Sequence, residues 1–385
     1  MVRTIRLLTF TNLYPNSQQP THGLFVHRRL RRIVDTGRAA AVVVAPTPLS
    51  LTRTLPARVE EYAGLSIHHP RFASVPGLGR ILAPFTMALS SWRIVRALVR
   101  QGDVDVIDAH YFYPDGIAAT LLACAFGKPL VITARGTDIN VLPNYMFSRG
   151  LIRWAAKRAA KIIAVSEALR VRLIALGTDP DKVITLRNGV DQSEFKPLDR
   201  AEARAHLNIP DATVLLSVGN LIEPKGHHLA IESLRELGDA YLVIVGDGPL
   251  RSGLERVARE NGVVERVRFT GPLTAEKLIE YYSAADLLVL ATLREGMPNV
   301  VLEAISCGLP VVATDCGGIS EVVDRPEAGI LMRERSAAAI VAAVRTLRQR
   351  YPSRAETRAC AGRFDWNCTV NRQLEVYASV ASEPG

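Results

Sequence analysis

The stretch Leu287-Leu-Val-Leu-Ala-Thr-Leu-Arg-Glu295-Gly-Met-Pro-Asn-Val-Val-Leu-Glu303-Ala-Ile-Ser-Cys-Gly308-Leu-Pro-Val-Val-Ala313 reads as an apolar strand, a loop, a short helix and a second apolar strand. Pro298 suits a first helical turn, and Gly308 with Pro310 suits a stop. Glu295 then lies in the loop before the helix, and Glu303 one to two turns inside it. The amides around Gly296, Met297, Pro298 and Asn299, at the positive end of that helix, make a place for a diphosphate. A phosphate held there has a carboxylate on either side, each able to accept hydrogen bonds from hydroxyls. That suits a nucleotide-linked sugar, with one glutamate for the ribose and one for the hexose. Two solvated glutamates around an ordinary helix would carry the same spacing.

The alternation extends outward in both directions. Upstream, strands are expected at 214–218, 242–245 and 267–269, and in the first half at 5–10, 40–45, 104–107, 130–133, 162–165 and 183–186. A helix is expected over 24–35, a Pro-rich run to about residue 80 is irregular or short-stranded, and 90–100 has helical character with Trp92, Val95 and Val99 on one side. Strand and helix in strict succession imply an α/β chain with parallel sheets covered on both faces. A linker around 191–210 divides it, and doubly wound order restarts after it.

The 385 residues are 48% hydrophobic and 22% charged, so the chain is globular and long enough for two domains. Its net charge of +9 is unevenly spread: residues 1–190 carry 25 Lys and Arg against 11 Asp and Glu, a balance of +14, and residues 191–385 carry 22 against 27, a balance of −5. A one-sided basic field suits an anionic membrane or anionic substrate. Nucleic acid is disfavoured, because no recognition helix or stacking aromatics accompany the charge. Two basic faces stand out: Arg28, Arg29, Arg31 and Arg32 on the first helix, and Arg80, Arg93, Arg96 and Arg100 beside Ile81, Leu82, Phe85 and Met87. The second mixture is what an interfacial membrane contact requires, and core packing would explain its apolar part equally well. Five scattered cysteines without metal-type spacing read as reduced thiols of a cytosolic protein. The amino terminus reads as a first strand, not a signal peptide, and no apolar run reaches the ~18 residues of a membrane span.

In the second half, Lys225 sits in a Gly-flanked loop after a strand, where a point charge can meet a diphosphate. Gly246-Asp-Gly248-Pro249-Leu250 is a tight turn able to bring backbone near a ribose or flat ring. It lacks the G-x-G-x-x-G of dinucleotide binding and lies mid-chain, which argues against a dehydrogenase. Asp315-Cys-Gly-Gly-Ile-Ser-Glu321 adds a glycine-permitted turn. No Asp-x-Asp metal motif accompanies these loops.

Taken in order, VGNLIEPKG, VGDGPL, FTGPL, YYSAADLLVL and EGMPNVVLEAISCGLPVVATDCGGISE closely resemble the nucleotide-sugar half of retaining glycosyltransferases of family four, which have the GT-B fold. The first half agrees through LTFTNLYP, the Gly23-x-Phe25 that follows, AHYFYPDG, TARGTD, VSEAL and RNGVDQSEF. The opening and the TARGTD form are most similar to the teichuronic-acid and exopolysaccharide branch.

The resemblance implies two Rossmann-like doubly wound domains facing a cleft: an acceptor-binding domain over 1–190, a donor-binding domain over 191–365, and a helix over 366–385 packing back on the first. It gives Glu303 to the ribose, Glu295 to the transferred sugar, and Lys225 with the 296–299 amides to the diphosphate. Gly23, Gly219, Asn220, Gly246, Gly248, Pro249 and Leu250 complete the donor set. Many relatives have arginine at the position of Asn220, so charge compensation here rests more on Lys225 and the amides. Tyr14, His110, Arg135 and Asp138 fall to the acceptor, with His110 and Arg135 also placed near the chemistry. Relatives often have histidine where Arg135 stands, which favours an electrostatic role over a base. A satisfied buried histidine is the other reading of His110. Glu295 is not the nucleophile, because the family works by front-face displacement in which the leaving phosphate takes the acceptor's proton. The implied activity moves a sugar from a nucleoside diphosphate to a lipid-linked or saccharide acceptor on the cytosolic side of a membrane, without a metal or cofactor. A transferase to a small soluble acceptor, a nucleotide-sugar 2-epimerase and a non-catalytic sugar-nucleotide-binding subunit are the alternatives.

Overall fold

The computed structural model describes residues 3–50, 54–74 and 79–382, leaving aside the side chains of 79 and 80. Met1, Val2, the Arg80 side chain and residues 383–385, which entered the sequence reading, lie outside that description. The chain forms two compact units, Met1–Arg187 together with Asn367–Gly385, and Asn188–Trp366.

The first unit holds strands β1 (Ile5–Phe10), β2 (Ala39–Val44), β3 (Thr47–Pro48), β4 (Val59–Tyr62), β5 (Leu65–His68), β6 (Arg71–Phe72), β7 (Val106–His110), β8 (Leu130–Ala134), β9 (Lys161–Ala164) and β10 (Val183–Thr185). Eight of them make one sheet in the order β10-β9-β8-β7-β1-β2-β5-β4, while β3 and β6 pair separately. All ladders are parallel except β4 with β5. β7 and β8 are buried at every position, as strands covered on both faces must be. The chain leaves β1 in one direction and returns through β7 on its other side, so the strand order reverses between them.

The second unit is a six-stranded sheet of β11 (Thr213–Val218), β12 (Ala240–Val245), β13 (Val267–Gly271), β14 (Leu287–Leu290), β15 (Val311–Thr314) and β16 (Gly329–Met332), ordered β13-β12-β11-β14-β15-β16 and wholly parallel. This is the doubly wound order of Rossmann-like sheets. Its reversal lies between β11 and β14, and such sheets bind ligands outside the carboxyl ends of the strands at that point. The edge strand β16 was not legible beforehand.

Three features depart from the sequence reading. The helix expected over 90–100 runs Gly79–Gln101, passing through Pro84. Val95 is buried in it and Val99 half-buried, but Trp92 faces outward, its ring 4.7 Å from that of Phe126. Met87 belongs to the core, whereas Ile81, Leu82, Phe85 and Leu89 are exposed. The helix Leu24–Asp35 is not an open basic face: Arg29 is 0% exposed, and Arg31 is paired with Asp35 at 2.8 Å and the Ala63 carbonyl at 2.9 Å.

Arg29 joins this helix to the helix Trp366–Ser382, its Nε donating to Gln373 Oε1 at 2.6 Å. Val370, Leu374, Tyr377 and Val380 form the buried stripe of that last helix. Burial brings the Arg29 guanidinium down to about 9, with the charge of Arg135 acting in the same direction. A guanidinium so placed depends on its acceptors. Gln373→Leu, which keeps the volume and removes the acceptor, is expected to cost about 1.5–3 kcal/mol in denaturant unfolding followed on the first unit. A change within error would show the contact to be dispensable.

Candidate active site

Three loops meet at the carboxyl ends of the second sheet and are fixed by backbone contacts. After β11, Gly219 N donates to the Val245 carbonyl at 3.0 Å and Leu221 N to that of Asp247 at 2.9 Å, while Leu250 N returns a bond to the Leu221 carbonyl at 3.1 Å. Gly246 has φ +136°, and a Cβ there would lie 2.0 Å from the Gly219 carbonyl oxygen, so the 219–226 and 246–250 loops touch where no side chain fits. The glycines of VGDGPL thus have a structural task beside any contact with ribose. Asn220 is exposed, and its carbonyl lies 3.3 Å from His227 Nε2. His227 Nδ1 lies 2.9 Å from Ser217 Oγ, and burial lowers this imidazole to about 4. With the proton on Nε2 facing the carbonyl, a neutral His227 ties the loop to its strand.

Lys225 ends in an ion pair with Glu295 Oε1, the two side chains 23% and 12% exposed. Glu295 hangs from the loop after β14, so the pair spans the loops of the two strands flanking the reversal. That loop is itself clamped. Leu293 N donates to the Pro224 carbonyl at 2.7 Å, Thr292 Oγ1 lies 3.2 Å from Glu295 Oε1, and Arg335 donates to the carbonyls of Ala291 at 2.9 Å and Glu223 at 2.7 Å. Beneath it, Gly318 N donates to the Gly296 carbonyl at 2.9 Å. A Cβ on Gly317, at φ +57°, would sit 2.1 Å from the Glu295 carbonyl oxygen.

The helix Asn299–Ser306 follows, with Pro298 at its N-cap instead of inside the first turn, so the N-cap side chain makes no capping hydrogen bond to its first amides. Asn188 Nδ2 donates to Asn299 Oδ1 at 2.9 Å and to the Met297 carbonyl at 3.4 Å, which fixes this end. Glu303 is half-buried one turn further on and accepts from the Tyr282 hydroxyl at 3.0 Å. Tyr282 is fully buried, and burial together with the carboxylate pushes its pKa well up, so it stays a donor. A cation, an amide-bearing helix terminus and two carboxylates therefore gather around one strand reversal. They can hold a diphosphate and accept hydrogen bonds from sugar hydroxyls. Tyr282, Asn188, Arg335 and His227 were missed from the sequence; YYSAADLLVL and RNGVDQSEF were legible as motifs, but no spacing tells which side chain braces which.

The residues picked in the first unit are mostly buried, and their partners lie within it. Tyr14 is a core residue whose hydroxyl lies 2.9 Å from His27 Nδ1, so it does not face an acceptor. Asp138 is fully buried and accepts from the amides of Phe112 at 2.9 Å, Gly136 at 2.8 Å and Arg135 at 3.2 Å; it shapes its own loop. His110 has Arg135 Nη2 at 3.0 Å from Nδ1 and Asp108 Oδ2 at 3.1 Å from Nε2, so both ring nitrogens are taken up inside the unit. Burial lowers its pKa, and these contacts fit the satisfied buried histidine that the sequence also allowed. Arg135 is itself buried, 5.2 Å from the Phe25 ring centre, which fits a fixed charge better than a base. Gly23 lies in this unit, where a Cβ would come 2.1 Å from the Leu13 carbonyl oxygen; this local contact accounts for the glycine without a donor.

Known proteins share this architecture. The structure superposes on sucrose-phosphate synthase from Thermosynechococcus elongatus with a TM-score of 0.81 at 19% identity, covering 98% of this chain and 99% of that one. It superposes on HepE from Anabaena in complex with UDP-glucose at 0.74 and 20% identity, covering 97% and 98%. These likenesses establish the GT-B fold. In sequence, residues 42–194 match Glycosyltransferase Family 4 and residues 212–350 match Glycosyl transferases group 1. TuaC of Bacillus subtilis (strain 168), provisionally named a teichuronic acid biosynthesis glycosyltransferase, is 30% identical over 364 residues, 88% of each chain. A D-inositol 3-phosphate glycosyltransferase of Geodermatophilus obscurus is 29% identical over 384 residues, 92% of this chain and 83% of that one. The chain belongs to the family 4, group 1 glycosyltransferases and is a glycosyltransferase.

His227 gives this site a pH signature. Its folded pKa of about 4 lies below the ~6.5 of an unfolded histidine, so the unfolded chain binds the extra proton between those values. Stability is full above pH ~6.5 and declines as pH falls toward 4. At pH 5 the loss from this group is about 2 kcal/mol. His227→Gln should flatten the fall in the second unit's thermal midpoint between pH 7 and 5, and an unchanged slope would remove His227 as its cause.

Proposed function

We propose that this chain transfers a hexosyl group, with retention of configuration, from a nucleoside-diphosphate-sugar to a lipid-linked acceptor in the synthesis of a cell-surface glycan, working at a membrane surface. The observation that carries the donor half is the Lys225–Glu295 pair at the reversal of the second sheet, followed by a helix terminus with proline at its N-cap and Glu303. In this reading Glu303 accepts from the ribose hydroxyls, braced by Tyr282. Lys225 and the 296–299 amides meet the diphosphate, and Glu295 accepts from hydroxyls of the sugar. The bond from the anomeric carbon to the diphosphate oxygen breaks, and the acceptor oxygen bonds to the same face. The acceptor's proton passes to the departing phosphate. Charge growing on that phosphate faces Lys225 and fixed dipoles, which cost no reorganisation as the bond breaks, so the reaction is expected to proceed without a metal.

The acceptor half rests on the outward face of the helix Gly79–Gln101. Ile81, Leu82, Phe85, Leu89 and Trp92 fall within one ~100° arc at 3.6 residues per turn, and Arg93, Arg96 and Arg100 continue nearly the same arc. Leu89 is 77% exposed. An apolar stripe followed by cations on one face matches a bilayer interface, where hydrocarbon and anionic headgroups meet. Among the described residues no helix is long and apolar enough to cross a membrane. The inositol-phosphate relatives favour a second reading, transfer to a small anionic acceptor without lipid.

Nucleoside diphosphate release should be measured from UDP-, GDP- and ADP-sugars with chelator present. One nucleotide should support release, Glu295→Gln should lower it at least about a hundredfold, and anionic vesicles should raise it. Loss of release on chelation would contradict metal independence, and indifference to vesicles would favour the soluble acceptor. Glu303→Ala should weaken binding of the matching nucleoside diphosphate by about ten- to a hundredfold, the worth of hydrogen bonds to a charged acceptor. Unchanged affinity would sink the ribose assignment.

A further inference from the structure

Beneath the apolar stripe the first unit contains a cavity of about 590 Å³, within the range of ~300–1,000 Å³ usual for small-molecule sites. Among the described residues no charged side chain lines it. Its polar contributors include Asn12, Ser74 and Ser148, and the Ser148 hydroxyl is already committed to the carbonyls of Leu142 at 2.6 Å and Tyr145 at 3.2 Å. A sugar or an inositol phosphate needs charged or paired polar groups around it, and this wall offers few. Hydrocarbon needs none.

The lining joins two places in the fold. Asn12, Tyr113 and Pro114 belong to the loops that leave β1 and β7, the two strands at which the first sheet reverses its order. Ile81, Tyr145 and Phe147 line it too and are also exposed, beside Met146 at 88% exposure. The apolar surface and the cavity share these side chains, and the cavity wall includes loops at which an open α/β sheet presents its ligand. Contiguous exposed apolar side chains of this size mark interaction sites in monomeric proteins. Arg93, Arg96 and Arg100 on the same helix face supply charge complementary to an anionic lipid surface.

The geometry points to this cavity as the site for the hydrocarbon chain of the lipid-linked acceptor, entering from the apolar stripe with its phosphate-bearing end directed toward the carboxyl edge of the first sheet. The identity of the chain as the acceptor's rests on the function proposed above. The cavity makes the first unit selective for chain length, because each methylene it covers adds binding, while the stripe outside only holds the protein to the surface.

Farnesyl phosphate and dimethylallyl phosphate are suitable probes, titrated calorimetrically into the full-length protein below their aggregation limits. Farnesyl phosphate should bind at least about tenfold more tightly than the five-carbon probe. Ala83→Trp, which places an indole in the cavity, should remove that advantage and leave sedimentation with anionic phosphatidylglycerol vesicles unchanged. Leu89→Glu should do the reverse, weakening sedimentation while leaving farnesyl phosphate affinity within about twofold. If Ala83→Trp fails to fold, photolysis of a diazirine-bearing farnesyl phosphate on the wild type should label Phe72, Ile81 or the 142–148 segment. Equal affinity for the two probes, labelling elsewhere, or displacement by lysophosphatidylglycerol as effective as by farnesyl phosphate would overturn the assignment. Normal transfer to a lipid-linked acceptor by a folded Ala83→Trp protein would sink the cavity and leave the transferase reading intact. Chain-length-dependent binding without lipid-dependent transfer would do the opposite.

Discussion

Lys225 and Glu295 carry opposite charges at the open end of a parallel sheet, 70 residues apart in the chain, and the site depends on their staying together. A partly exposed ion pair contributes little stability of its own, often under about 1 kcal/mol, so it cannot be what holds the loops. The loops hold the pair. Strand order brings β11 beside β14, glycine at 246 lets the neighbouring loop approach to backbone contact, and Arg335 clamps both sides through carbonyls. The result is an ammonium whose position is set before any ligand arrives, the condition under which a fixed charge favours a developing one.

The first unit uses its buried polar groups differently. His110, Arg135, Asp138, Tyr14 and Arg29 all look reactive in a list of residue types, yet each is enclosed and hydrogen-bonded to neighbours within the unit. Burial is the largest influence on the ionisation of His110, Arg29, Arg135 and Asp138, lowering the bases and raising the acid. Such groups fix the loops at the sheet's carboxyl edge. The helix Gly79–Gln101 and the 145–147 segment instead carry exposed apolar side chains, and Ile81, Tyr145 and Phe147 among them also line the cavity.

Much of the fold was legible because strands covered on both faces are short uninterrupted apolar runs: 214–218, 242–245 and 287–290 lie on or within the observed strands. The helix Gly79–Gln101 was half missed for the opposite reason. Pro84 argues for a break, and an outward row of apolar residues defeats the rule that the apolar side is the buried one. In the site, Lys225, Glu295 and Glu303 stand out because glycines and strand ends surround them. Their braces do not: Asn188 meets Asn299 across 111 positions, and Tyr282 meets Glu303 across 21. Nothing local distinguishes those side chains from ordinary core residues. His110 is ambiguous for a third reason, since a histidine at a strand end looks the same whether its nitrogens face a substrate or an arginine and an aspartate.

In the function proposed here, the second unit binds a nucleoside diphosphate where its strand order reverses. Amide hydrogen exchange on the full chain, with and without saturating UDP, GDP and ADP, tests it most directly. At least one nucleotide should slow exchange at 219–226 and 296–303, with little change on the far side of the same sheet. Binding that protects other segments while leaving those two untouched, or no protection by any nucleotide, would contradict it.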